Sequence, residues 1–345
     1  MCTVRGVTAT QEVSGLLDQE LIESERRQPF VSFADPLRAR RNFRRATSLS
    51  RGLRGPAPDE GDVTVEDTEL DIFDDGRKIP VRIYIPAGGG TTESEFRNPP
   101  PVLLYMHGGA FVAGDLDTEH DRCLRFSRAV GCAVVSIDYR RPPEHPFPAP
   151  LEDCYAVLLH VAELAERRGW DGTRVAVGGS SAGGNLAAGL ALMARDRSGP
   201  AITLQLLLYP ALDDRLTSKS FQRFVRASGW DVEDSPLMWR HYLGDAPETH
   251  VYAAPARCDD FHGLAPAYVL VAEVDALRDE GIDYACRMMR DGVPVELHCF
   301  AGAFHGFDLA APQAALTRRA LADQTAALKA AFARPGLPHP ARAEG

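Results

Sequence analysis

The sequence contains little lysine, no N-glycosylation motif and no long hydrophobic run. Only 3 of its 38 basic residues are lysines, a bias that we attribute to a GC-rich genome. No Asn-x-Ser or Asn-x-Thr triplet occurs, and no apolar stretch approaches the ~20 residues that a membrane-spanning helix needs. Residues 1–11 also lack the apolar core of a signal peptide. We therefore expect a soluble, cytoplasmic protein with no stable membrane insertion.

The chain has fewer basic than acidic residues, so its net charge is −10 at neutral pH. A surface that binds phosphate backbones needs an excess of basic residues, so nucleic acid is excluded as the main partner. One short segment is locally basic. It is either a patch for an anionic ligand or membrane surface, or a solvated helix face, and we favour the helix face. Its arginines are Arg38, Arg40, Arg41, Arg44 and Arg45.

Signals for cysteine pairing are also missing. The 7 cysteines are widely spaced, and neither a Cys-x-x-Cys motif nor a Cys/His metal-ligand spacing occurs. An odd, scattered set indicates reduced thiols, several of which would pack as small apolar side chains. We expect no metal and no cofactor. The cysteines are Cys2, Cys123, Cys132, Cys154, Cys258, Cys286 and Cys299.

The spacing of apolar residues along the sequence changes near residue 100. A length of 345 residues allows one large domain with additions or two ordinary domains. Before residue 100, helical periodicity covers residues 11–27 and resumes after Pro36, and a turn-rich linker follows over residues 54–61. Alternation over Val63–Ile72 and Ile79–Ile85 predicts an antiparallel hairpin with one solvated face. A surface loop is predicted over residues 87–100.

After residue 100, nearly continuous apolar runs alternate with helical segments. Strands buried on both faces and separated by helices are typical of a mostly parallel sheet, so the predicted fold class is α/β. The strands are predicted at 101–106, 132–138, 174–177, 202–209, 267–273 and 295–300, and the helices at 151–168, 182–195, 279–290 and 314–332. Residues 211–255 interrupt this alternation with several aromatic side chains. We interpret them as a helical lid over the strand ends; an ordinary surface insertion is the alternative.

One motif carries chemistry. Gly179-Ser180-Ser181-Ala182-Gly183 lies between a predicted strand and a predicted helix, as in the G-x-S-x-G nucleophile elbow, where a sharp turn exposes one serine hydroxyl. Ser181 is the candidate nucleophile, and Ser180 is expected to point into the elbow. Glycine on both sides allows the strained turn and the close approach of neighbouring backbone.

A serine nucleophile needs an imidazole to take its proton and a carboxylate to orient that imidazole. Asp275 follows a predicted strand, and His305 follows the last one, with small residues beside it. Glu273 and Asp279 compete with Asp275 for the carboxylate role. Glu273 is expected on the opposite sheet face and Asp279 at a helix start.

A glycine pair lies upstream in His107-Gly108-Gly109-Ala110-Phe111. Backbone N–H groups of Gly108 and Gly109, together with that of Ala182, are predicted to form an oxyanion hole. His107 is expected to hold this loop through hydrogen bonds.

Over roughly residues 101–307 the sequence resembles the hormone-sensitive-lipase-like (bacterial family IV) esterases of the α/β-hydrolase superfamily. The likeness rests on the motif at 107–111, the stretch at 138–149, the elbow continued to Ala187, and the motif at 275–281. The resemblance implies Ser181, Asp275 and His305 as a catalytic triad. It also implies a cap from residues 1–55 and 211–255, a core from 56–210 and 256–335, and a tail over 336–345.

Three positions depart from the family pattern: Ala110 replaces a third glycine, Ser180 stands where an acidic residue or threonine is usual, and Arg141-Pro142 replaces Leu-Ala. The expected activity is that of a serine carboxylesterase for short- to medium-chain acyl esters, acting through an acyl-enzyme. An amidase or deacetylase for an aryl or natural-product amide is the enzymatic alternative, and a small-molecule receptor is the non-catalytic one. A homodimer is left open.

Overall fold

The computed structural model describes residues 15–28, 31–54, 62–73, 75–86, 99–224 and 234–335. Some predicted features fall on residues outside these ranges. Residues 11–14 of the first predicted helix, most of the 54–61 linker, most of the 87–100 loop and the 336–345 tail lie outside the described residues, as does part of the 211–255 insertion.

One eight-stranded sheet organises the described part of the chain. Its spatial order is β1-β2-β4-β3-β5-β6-β7-β8, where the ranges are β1 Val63–Asp71, β2 Lys78–Pro86, β3 Pro101–Met106, β4 Ala133–Ile137, β5 Asp171–Ser180, β6 Leu204–Leu208, β7 Ala267–Val274 and β8 Val295–Phe304. β1 and β2 form the predicted antiparallel hairpin, and β2 also pairs antiparallel with β4. Every other neighbouring pair is parallel. The predicted α/β fold is therefore confirmed.

Helices cover the two faces of the sheet. They are α1 Ile22–Arg26, α2 Pro36–Arg54, α3 His120–Phe126, α4 Ala149–Arg168, α5 Ala182–Asp196, α6 Lys219–Arg223, α7 Ser235–Leu243, α8 Arg278–Arg290, α9 Phe307–Ala310 and α10 Ala315–Phe332. A π-helical turn, Ser127–Gly131, continues α3, and a 3₁₀ turn lies at Pro255–Arg257. None of the helices in the described part is long and apolar enough to span a bilayer.

The core lies on both faces of the sheet, because successive side chains of a strand point to opposite sides. In β3, Leu104 belongs to the hydrophobic cluster that also contains side chains of α4, α5 and α8. Its neighbours Leu103 and Tyr105 belong to the second cluster, with side chains of α3 and α10. All six residues of β3 are buried, which explains its continuous apolar sequence.

The boundaries of some elements differ from the predicted ones. β5 begins at Asp171, because this residue pairs with Pro101, and β8 continues to Phe304, which pairs with Val274. The first predicted helix is reduced, within the described residues, to α1 and a preceding turn. The Asp18 amide donates a hydrogen bond to the Gly302 carbonyl at 3.0 Å, so a tertiary contact replaces helical periodicity there.

The described part of the 211–255 insertion contains α6 and α7. The Tyr242 ring of α7 stacks on Phe111 at 3.8 Å between centroids, and Trp239 also contacts Phe111, at 5.5 Å. The His241 Nε2 atom lies 3.0 Å from the carbonyl oxygen of Phe33. The insertion is therefore in contact both with the loop that follows β3 and with the segment that precedes α2.

Candidate active site

The strand-to-helix turn between β5 and α5 holds Ser181 in a strained conformation, with φ 54° and ψ −116°. Such a conformation is uncommon for a residue with a side chain and marks a candidate functional position. Crowding explains the flanking glycines. A Cβ atom at Gly179 would lie 2.4 Å from the carbonyl carbon of Gly183, and one at Gly183 would lie 2.0 Å from the carbonyl oxygen of Met106.

Ser181, His305 and Asp275 form a continuous hydrogen-bonded row. The His305 Nε2 atom lies 3.0 Å from the Ser181 hydroxyl, and its Nδ1 atom lies 2.8 Å from Asp275 Oδ2. A carboxylate only accepts hydrogen bonds, so Nδ1 carries the proton and Nε2 accepts from the serine hydroxyl. Asp275 is buried, and its Oδ1 atom accepts from the Leu277 amide at 3.0 Å. This arrangement can deprotonate a serine as it attacks.

The competing residues lie elsewhere. The Ser180 hydroxyl is buried and donates to Glu119, as expected for a side chain that points into the elbow. The Glu273 carboxylate accepts from the Gly302 amide at 2.8 Å. Asp279 lies in the first turn of α8 and accepts from the Ser220 amide at 2.8 Å. Of the three candidate carboxylates, Asp275 is hydrogen-bonded to His305, whereas Glu273 and Asp279 accept from backbone amides of other segments.

The loop after β3 directs its amides differently from the predicted arrangement. The Gly108 N–H donates to Glu119 Oε1 at 3.1 Å, so this amide is already occupied. Among the described residues, the amides of Gly109, Ala110 and Ala182 have no hydrogen-bond partner. Gly109 has φ 128°, and a Cβ atom there would lie 2.3 Å from the carbonyl oxygen of Ala113.

His107 holds this loop, as predicted. Its Nδ1 atom lies 2.8 Å from the Gly108 carbonyl oxygen. Its ring stacks on Tyr139 at 4.4 Å, and the Tyr139 hydroxyl donates to the His107 carbonyl at 2.8 Å. His107 is fully buried. These contacts fix the start of the loop without exposing the imidazole to a substrate.

Several ionisable groups around these loops have displaced pKa values, among them Asp138 and Tyr209. Burial by itself raises the pKa of Asp138, but the neighbouring His107 and Arg141 outweigh it and lower that pKa to about 2. Burial raises the pKa of Tyr209 well above its usual value. The Tyr209 phenol therefore stays protonated, and it donates to Asp308 at 2.8 Å.

Sequence reasoning missed Glu119 and Ala110. Glu119 is 2% exposed and receives hydrogen bonds from both the loop and the elbow, but no motif singles it out, since its partners are distant in sequence. Ala110 was recognised only as a replacement for the third glycine and not as a predicted oxyanion donor, although its φ of 54° turns the backbone as a glycine would.

One group of potential metal ligands occurs in the described part of the chain: Asp260, His262 and Asp291. It shares no residue with the row formed by Ser181, His305 and Asp275. Asp260 and His262 are exposed and hydrogen-bond to each other at 2.8 Å.

Comparison with known proteins places the chain in a family. Residues 103–309, well over half of the chain, match the family model described as the alpha/beta hydrolase fold. Carboxylesterase NlhH of Mycobacterium tuberculosis is 41% identical over 269 residues, which span 75% of this chain and 81% of NlhH. Esterase LipI of the same organism is 43% identical over 209 residues. That match spans 60% of this chain and 65% of LipI, slightly less than two thirds of the relative's length.

Solved structures agree with this placement. A bacterial heroin esterase superposes with a TM-score of 0.85 at 37% sequence identity, covering 93% of this chain and 99% of that one. EstE1, a thermostable carboxylesterase cloned from a metagenomic library, superposes with a TM-score of 0.78 at 33% identity, covering 88% of this chain and 99% of EstE1. The chain therefore belongs to the α/β-hydrolase fold family and, within it, to the hormone-sensitive-lipase-like group.

Proposed function

We propose that the protein is a serine carboxylesterase in which Ser181, His305 and Asp275 form the catalytic triad. The observation that carries the proposal is their hydrogen-bonded row, with 3.0 Å between Ser181 and His305 and 2.8 Å between His305 and Asp275. The esterase relatives support the same activity. No step of the proposed mechanism requires a metal or cofactor.

The proposed reaction has two stages. Ser181 Oγ attacks the ester carbonyl carbon as His305 Nε2 takes its proton, and the tetrahedral intermediate collapses when Nε2–H protonates the departing alcohol. A water molecule then attacks the acyl-enzyme, again giving its proton to Nε2, which returns that proton to Ser181 as the acid leaves. Asp275 stabilises the imidazolium throughout and keeps the ring oriented.

The proposed oxyanion hole consists of the amides of Gly109, Ala110 and Ala182. Gly109 and Ala182 were expected from the sequence. Ala110 takes the place expected for Gly108, whose N–H donates to Glu119. Each donor aimed at the developing oxyanion contributes about 2.7–4 kcal/mol to lowering the barrier. The alanine methyl group leaves the Ala110 amide intact and narrows the space beside it.

We propose that residues 1–55 and 211–255 form a cap and that the site prefers short- to medium-chain acyl groups. The supporting contacts are those of α7, whose Trp239 and Tyr242 are buried against Phe111, the residue directly after Ala110. These aromatic side chains fill space next to the proposed oxyanion hole, which leaves less room for a long chain.

A p-nitrophenyl ester series from acetate to dodecanoate tests the activity and its chain-length preference. We expect hydrolysis that is fastest with short to medium chains, a phosphonate adduct on Ser181 by mass spectrometry, and loss of both in Ser181→Ala. Matched ester and amide substrates separate an esterase from an amidase. A wild-type protein that neither hydrolyses esters nor reacts with the phosphonate would instead favour a receptor.

We also propose a cytoplasmic location, because the six described cysteines are free thiols, four of them buried. The homodimer remains a prediction. Gel filtration with light scattering at two protein concentrations distinguishes a monomer from a dimer.

A further inference from the structure

A buried carboxylate lies beneath the proposed site and is not used by the proposed chemistry. Glu119 immediately precedes α3 and is 2% exposed. Its Oε1 atom accepts from the Gly108 amide at 3.1 Å and from the Ser180 hydroxyl. Its Oε2 atom accepts from the Tyr105 hydroxyl at 2.9 Å. One side chain therefore joins the loop that follows β3 to the nucleophile elbow.

Glu119 is also one end of a buried ionic row. Arg122 Nε lies 2.7 Å from Glu119 Oε2, and Arg122 Nη2 lies 3.0 Å from Asp308 Oδ1. All three side chains are buried. Tyr209 completes the far end, because its hydroxyl accepts from Arg122 at 2.8 Å and donates to Asp308 at 2.8 Å.

The far end of the row reaches His305. The Tyr209 ring meets the His305 ring in a T-shaped contact, with 4.9 Å between centroids. Asp308 itself lies in α9, three residues after His305. The row therefore contacts the loop after β3 and the elbow at one end, and Asp308 places its other end in the segment that carries His305.

Burying three charged groups is costly and often adds no net stability compared with an apolar core. Such a row instead fixes the positions of the segments that it joins. Oxyanion donors act over a window of only about 0.4 Å, from ~2.7 to ~3.1 Å, so small displacements of the loop reduce catalysis. Supporting groups that hold the reacting groups in place are therefore expected below such a site.

We propose that Glu119 is a positioning residue for ester hydrolysis, holding the Gly108 peptide and the elbow together so that the amides of Gly109 and Ala110 face the Ser181 hydroxyl. The proposal rests on the proposed function. The carboxylate is required because it accepts hydrogen bonds from two hydroxyl groups and one amide and is paired with one guanidinium. A glutamine would present an NH₂ group either to the Gly108 amide, which would lose its acceptor, or to the Arg122 guanidinium, which would lose its carboxylate partner.

The decisive variant is Glu119→Gln, compared with Ser180→Ala and with the control Asp153→Asn. Asp153 is matched to Glu119, since it is buried, accepts from the Arg140 amide at 2.9 Å and pairs with the Arg140 guanidinium at 2.7 Å. It lies in α4 and contacts neither the elbow nor Gly108. Each variant is assayed for kcat and KM with p-nitrophenyl butyrate, for the rate of phosphonylation of Ser181, and for thermal unfolding.

We expect Glu119→Gln to lower kcat by about 10- to 100-fold, with KM within threefold of wild type. This is less than the ~10²- to 10³-fold loss for a deleted oxyanion donor, because the amides are displaced and not removed. The phosphonylation rate should fall by a similar factor, because the phosphonyl oxygen occupies the same hole. Asp153→Asn should change the unfolding temperature while kcat and the phosphonylation rate stay within twofold.

Ser180→Ala removes the elbow contact alone and should lower kcat by about 3- to 10-fold. The double variant should be no more than twofold slower than Glu119→Gln, because the two residues act through one contact. If Glu119→Gln does not fold, Ser180→Ala decides: an unchanged kcat overturns the proposal.

A folded Glu119→Gln with wild-type kcat also overturns it, as do equal losses in Asp153→Asn. A wild-type protein inactive on all esters would instead contradict the proposed function itself.

Discussion

Gly183→Ala tests whether the contact between the elbow and the loop after β3 sets the catalytic geometry. A Cβ atom at Gly183 would lie 2.0 Å from the Met106 carbonyl oxygen and 2.7 Å from that of His107. Ordinary van der Waals contact begins at 3.4 Å. The methyl group therefore requires the two backbones to separate by about 1.4 Å, the difference between 3.4 and 2.0 Å.

That separation is large on the scale of the proposed oxyanion hole. The elbow supplies the Ala182 amide and the loop supplies those of Gly109 and Ala110, so the shift moves the two sets apart. A displacement of more than 1 Å exceeds the ~0.4 Å range of effective donor distances. With one donor lost, kcat should fall by about 10²- to 10³-fold.

A matched control lies in the same helix. A Cβ atom at Gly189 would lie 2.3 Å from the Tyr252 carbonyl oxygen, so Gly189→Ala requires a shift of about 1.1 Å, the difference between 3.4 and 2.3 Å. This shift moves α5 against the 211–255 insertion and not against the loop. Both variants introduce overpacking of about 1–3 kcal/mol, partly offset by the better helix propensity of alanine.

The assay combines kcat for p-nitrophenyl butyrate with the urea dependence of unfolding. We expect similar losses of stability in the two variants and a large loss of kcat only in Gly183→Ala. The reasoning is refuted if folded Gly183→Ala keeps kcat within threefold of wild type, or if Gly189→Ala loses as much activity.

Three further changes have defined outcomes. Asp275→Asn should lower kcat by about 10⁴-fold, because an amide at that position no longer holds His305 in the productive tautomer. The loss is measured as the rate of acylation before the steady state, and a loss below tenfold contradicts the prediction. Asp138 is stabilised in its charged form, with a folded pKa of about 2 against 3.8 for the unfolded chain. The charged carboxylate contributes about 2 kcal/mol to the free energy of unfolding above pH 3.8, and this contribution is lost as the pH falls towards 2. Asp138→Asn should therefore make the free energy of unfolding, measured with urea at pH 2–6, less dependent on pH. Arg40 donates to the Val112 carbonyl at 2.8 Å and pairs with Glu144. Arg40→Met should lower the free energy of unfolding by about 1–3 kcal/mol, whereas an unchanged urea midpoint would show that this contact contributes nothing.

Local sequence patterns predicted the order of strands and helices well, because buried positions are occupied by apolar residues and the spacing of those residues depends on the type of element. The six apolar residues of β3 are all buried, and the Gly-x-Ser-x-Gly motif lies at the junction of β5 and α5. The prediction was weaker where a hydrogen bond to a distant segment overrides the local helical pattern. The turn before α1 forms because the Asp18 amide bonds to Gly302, a contact between residues far apart in the chain.

The candidate nucleophile, base and acid could be named from the sequence, since each stands next to a strand end and their chain order is that of a known family. The direction of individual amides could not. Whether the Gly108 N–H is available depends on Glu119, which no local pattern connects to the glycine pair. Only the folded chain brings that carboxylate within 3.1 Å of Gly108, because hydrogen-bond partners are chosen by distance in space and not by separation in sequence.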